Sequence, residues 1–122
     1  MQNIYVAHAI RKLKNKILKT RWQKCEGNDE TKAEFGVFKD PFISVHADCI
    51  WDNESQSHLV TADFYARPYP ELGIEEGHLI EVEIYHSDMQ TCLALGKEWL
   101  YNNTDKAIEK LFVSIKTETV NN

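Results

Sequence analysis

The chain has 122 residues, of which 43% are hydrophobic and 11% aromatic, and its net charge is −5. That length and apolar content suit one α+β domain over residues 1–122 with its own core, and they exclude a disordered chain. No run approaches the roughly 18–20 apolar residues of a membrane helix, and basic residues from Arg11 onward leave no signal-peptide core, so a cytoplasmic protein that does not engage the membrane is expected.

Charge is sorted by position. Arg11, Lys12, Lys14, Lys16, Lys19, Arg21 and Lys24 lie in the first 25 residues without one carboxylate, which leaves a charge of −12 on the remainder. Between Asp40 and Gly96 eleven carboxylates face a single cation, Arg67. Cys25, Cys49 and Cys92 are odd in number and unpaired in spacing, which fits reduced thiols better than a disulfide framework. Cys92 reads as core, and Cys25, beside the run of cations, as the more reactive thiol.

In chain order, Ile4 to about Trp22 reads as a helix: Val6, Ala9, Ile10, Leu13 and Ile17 form one stripe and cations cover the remaining circumference. Glu26 to Thr31 is turn-rich and closes it. A short strand is predicted over 34–38, then a turn at Lys39, Asp40 and Pro41. From Phe42 the period becomes two. Ile43, Val45, Ala47, Cys49 and Trp51 share one face, as do Val60, Ala62, Phe64 and Ala66 of a second run, with the turn formers Asp52 to Ser55 between them. A one-residue slip would bury charge, so only registers that keep both apolar sets on one face are acceptable, and the simplest pairs Trp51 with His58, His46 with Asp63 and Val45 with Phe64.

A loop over 67–77 holds Tyr69 between Pro68 and Pro70, read as an exposed contact element. The run 78–86 is a further strand, with Ile80, Val82 and Ile84 on one side and Leu79, Glu81, Glu83 and Tyr85 on the other. His58, His78 and His86 share the parity of the apolar face and read as partly buried edge residues. Two helices close the chain. The first is capped near Ser87 and Asp88, and the second starts at Thr104 after the interruption at Asn102 and Asn103. The expected fold is a two-layer α+β sandwich: an antiparallel sheet of three to four strands, with one N-terminal and two C-terminal helices on its apolar face.

The other sheet face carries the candidates. It gathers Ser44, His46, Asp48, Thr61, Asp63, Tyr65 and Arg67 with Glu81, Glu83 and Tyr85. The expectation is a non-enzymatic binding module of inhibitor or immunity type. Asp48, Asp63, Tyr65, Arg67, Tyr69, Glu81, Glu83 and Tyr85 would engage a basic protein, charge steering the encounter and aromatics anchoring it. A second reading is a small metal- or base-assisted enzyme on His46, Asp48 and Asp63, since a carboxylate beside a histidine fixes its tautomer and raises its basicity. A third is nucleic-acid binding by Arg11, Lys12, Lys14, Lys16, Lys19 and Arg21, with Trp22 stacking on a base. No HExxH, paired CxxC or Gly-rich phosphate loop is present, so no catalytic residue, metal or cofactor is assigned. Trp22 and Trp51, near element ends, suit either core packing or a homodimer contact.

Overall fold

In a computed structural model of the chain, residues 4–25, 31–39 and 42–120 are described, the side chains of 36–39 and 114–120 excepted. Helix α1 (Ile4–Lys19) is followed by strands β1 (Trp22–Lys24), β2 (Ala33–Lys39), β3 (Ile43–Asp52), β4 (Ser57–Ala66) and β5 (Gly77–His86), then by helix α2 (Met89–Val120). The strands form one antiparallel sheet in chain order, β1 to β5. The α+β layering and the single helix-covered face match the expectation; the numbers of strands and helices differ.

Helix α1 stops at Lys19, short of the predicted Trp22. The Thr20 amide and hydroxyl both donate to the Lys16 carbonyl, at 3.0 and 2.7 Å, and Lys97 Nζ reaches from α2 to the carbonyls of Leu18 and Thr20, each at 2.9 Å. These donors satisfy the last helical carbonyls, which otherwise lack partners. Trp22 is then free to open a fifth strand opposite Phe35, its ring edge-on to the phenyl at 5.4 Å and its Nε1 donating to Leu93 O.

The two predicted C-terminal helices are one. Asn103 Nδ2 donates to Trp99 O at 2.9 Å, and the buried Thr104 hydroxyl donates to Leu100 O at 2.8 Å. Both side chains bond back to the carbonyl four residues earlier, which spends their capping capacity inside a continuous helix. The N-terminus of α2 follows the sequence: Asp88 Oδ2 accepts from the amide and hydroxyl of Thr91, at 2.9 and 2.6 Å.

The hairpin adopts the simplest register that the alternation allows. Trp51 faces His58, His46 faces Asp63 and Val45 faces Phe64. Ile43, Val45, Ala47 and Cys49 of β3 and Val60, Ala62, Phe64 and Ala66 of β4 are buried beneath α2. The stripe Val6, Ile10, Leu13 and Ile17 of α1 packs along α2 and completes the same core. Gly96 permits the close approach, since a Cβ there would lie 2.8 Å from Val60 Cγ1. Cys49 and Cys92 are core thiols, and burial pushes Cys49 up to about 12. Among the described residues no helix is long and apolar enough to cross a membrane.

Candidate binding face

The helices cover one side of the sheet, and the alternation turns every second residue of β3, β4 and β5 to the other. Registration across the strands sorts those outward residues into rows. One row runs Gln23, Glu34, Asp48, Thr61, Glu83 from β1 to β5; the next runs His46, Asp63, Glu81. A third is Ser44, Tyr65, His78, and at the hairpin end lie Ile50, Leu59 and Tyr85. Two acidic rows therefore sit between an apolar-aromatic row and a Tyr–His row. Within them Glu34 stands directly opposite Asp48, and Asp63 directly opposite Glu81.

The predicted pairing of His46 with Asp63 holds as a backbone register, but the hydrogen bond of Asp63 goes elsewhere. His78 Nδ1 lies 2.7 Å from Asp63 Oδ2 and 3.9 Å from Glu81 Oε2. Strict alternation places His78 on the helix side; a bulge where Phe64 pairs with Ile80 but Tyr65 with His78 turns it outward. Leu79, expected outside with Glu81, is the extra residue and is buried. Its carbonyl accepts from Lys110 Nζ of α2 at 2.6 Å. Bulges re-aim side chains in this way. The adjacent apolar pair Leu79–Ile80, which breaks the alternation, is the signal in the sequence.

Asp63, His78 and Glu81 bring one ligand atom each to within 4.8 Å of one another, a spacing that a divalent cation could bridge. His78 is 58% exposed and Glu81 65%, so water competes for both groups. The Tyr65 ring stands edge-on to His78 at 5.1 Å. Partial burial and the neighbouring Glu76 raise the Tyr65 hydroxyl above its ordinary range; the Glu83 carboxylate, accepting from the Tyr85 hydroxyl at 3.1 Å, raises Tyr85. His78 also lines a shallow cleft of about 290 Å³ with Gly73, Ile74, Glu75 and Lys110.

Arg67 follows β4 and is half-buried, its amide donating to Phe42 O. Tyr69, expected to be exposed, is half-buried against Phe42, with ring centroids 5.1 Å apart, and its backbone pairs in both directions with Ile74. The loop thus turns its tyrosine inward. Lys14 pairs with Asp105 at 2.8 Å and lies over the Tyr101 ring, so the helix directs one of its cations at α2. Arg11, Lys12, Lys19 and Arg21 are exposed and Lys16 is half-buried. Trp51 packs edge-on against His58 and bonds Asn53, so both tryptophans offered as homodimer contacts have partners within the chain. The predicted turn at Asp40 and Pro41 lies outside the described residues. Comparison with protein-family models, curated proteins and solved structures gave no match.

Proposed function

We propose that the chain is a protein-binding module, of the inhibitor or immunity kind, that presents its acidic outer sheet face to a basic protein. The observation that carries this reading is the pair of like-charge oppositions, Glu34 with Asp48 and Asp63 with Glu81, on a face that no helix covers among the described residues. Directly opposed like charges destabilise a strand pair, where an opposite-charge pair would contribute roughly 0.2–1 kcal/mol. His78 offsets the second pair by bonding Asp63 at 2.7 Å beside Glu81, whereas opposite charges at Glu34 and Asp48 would stabilise the sheet, so folding alone gives no reason for the first pair. A cationic partner supplies one, because it neutralises both pairs at once. Tyr65 and Tyr85 beside the acidic rows provide the anchoring rings that interfaces favour.

The test is a charge-reversal set, Asp48→Lys, Asp63→Lys, Glu81→Lys and Glu83→Lys, measured against a basic protein captured from the native host. The set is expected to lower affinity and flatten its dependence on salt. Unchanged affinity removes the proposal.

The Asp63–His78–Glu81 geometry supports a second reading, a divalent-cation or acid–base centre that shifts the expected His46–Asp48–Asp63 set by one strand. Metal analysis of protein purified without added ions distinguishes the two: stoichiometric metal, lost in His78→Ala, favours this reading over a plain binding face.

A further inference from the structure

We propose that the free edge of β5 takes up an extended strand of the partner in which basic and apolar residues alternate. This rests on the reading of the acidic face as a binding surface and adds how the partner engages it.

Strand β5 has ten residues and pairs with β4 on one side; on its other side nothing pairs with it among the described residues. An unpaired edge offers a row of amides and carbonyls, the template on which a further strand forms. The opposite edge, β1, has only three residues and offers much less.

The two faces of β5 state what such a strand must carry. Toward α2, Ile80, Val82 and Ile84 are only half-buried, so an apolar shoulder continues past the edge of the core. Trp99, also half-buried, packs on Phe64, the cross-strand neighbour of Ile80. Apolar side chains of an added strand would extend this layer. On the outer face Glu81 and Glu83 are exposed, and Tyr85 is 49% exposed beyond them. Side chains there sit opposite carboxylates and an open ring, and a Lys or Arg satisfies both. Alternation of apolar and cationic residues follows from the pleat, whose successive side chains point to opposite faces.

The same charges argue against a second copy as the occupant. Antiparallel pairing of two β5 strands about Val82 would set Glu81 of each against Glu83 of the other. Like-charge opposition of this kind is how natural edges avoid pairing with themselves. In that register the edge disfavours a second copy and favours a basic strand.

The test titrates the isotope-labelled full chain to millimolar ligand with two capped heptapeptides of four lysines and three valines. One alternates the residues; the other has all its lysines first. The alternating peptide is expected to bind at least about tenfold more tightly and to slow amide exchange across 81–85, since strand addition depends on main-chain pairing and on side chains of alternating face. Glu81→Lys with Glu83→Lys should abolish the preference. Glu34→Lys with Asp48→Lys, three and two strands from the edge, should retain most of it. Equal affinities, or tighter binding with no protection in β5, overturn the strand proposal while leaving the acidic face as a cation-binding surface. If neither peptide binds, both readings fall.

Discussion

Neighbouring residues of β3 and β4 live under opposite rules. On the helix side Val45, Ala47, Val60, Ala62 and Phe64 are fully buried and close-packed. One residue along the chain, Asp48 and Asp63 are half-buried while Glu34, Glu81 and Glu83 are exposed, and like charges face each other. The inner face is apolar and buried in step with what folding favours. The outer face departs from what folding favours where Glu34 opposes Asp48, and where Asp63 opposes Glu81 it needs His78 beside them; such departures are expected where a surface serves something other than stability.

The largest way to break this contrast is through the core. Phe64→Ala should cost about 3–5 kcal/mol in urea unfolding, whereas Thr61→Ala, outward on the same strand, should stay within about 0.5 kcal/mol. Similar losses at both positions would mean that the two faces do not differ as described. A change at the edge comes next. Glu83→Lys places a cation opposite the Glu81 of a second β5 strand and makes the edge self-complementary, so sedimentation should show salt-sensitive dimers that neither the native chain nor the Glu81→Lys, Glu83→Lys double variant forms. A strictly monomeric Glu83→Lys protein would show that charge is not what guards this edge.

Glu34→Lys sharpens the contrast further, because its two effects should have opposite signs. Removing the opposition to Asp48 should raise stability by roughly 0.2–1 kcal/mol while weakening the basic partner's binding. Loss of stability, or tighter binding, counts against a face kept for association. The smallest effect concerns pH. Hydrogen bonds from Thr91 hold the Asp88 carboxyl below its ordinary value, so its cap stabilises the fold fully above the unfolded value and loses that contribution as pH falls through the lower folded one. Asp88→Ala should therefore melt below the native chain at pH 7, with a gap that closes in acid. A gap independent of pH would assign the loss to something other than the ionised cap.

The sequence makes the hairpin legible, since period-two alternation excludes one-residue slips, and the structure adopts the simplest of the registers that remain. The rows of Asp48, Asp63, Glu81 and Glu83 follow from that register and the parity of 80–86. Three features escape because long-range contacts decide them. Trp22 joins a strand only because Phe35 and the Leu93 carbonyl receive it. The Asn103 and Thr104 side chains can cap a helix or bond back into one, and the buried position of Thr104 beneath a continuous α2 selects the second. The β5 bulge inverts the parity of His78 and hands Asp63 a different histidine from the one opposite it in the hairpin. The candidate site is thus readable as a face, and its internal hydrogen bonding is not.

Under the proposed function the acidic face, and not the basic helix, meets the partner. Amide-shift mapping on the labelled chain with the captured basic protein tests it most directly. Shifts are expected on the outward residues of β3 and β4 and along β5, with 11–21 unmoved. Shifts concentrated on Arg11–Arg21 of the helical segment, with Asp48, Asp63, Glu81 and Glu83 unchanged, would contradict it.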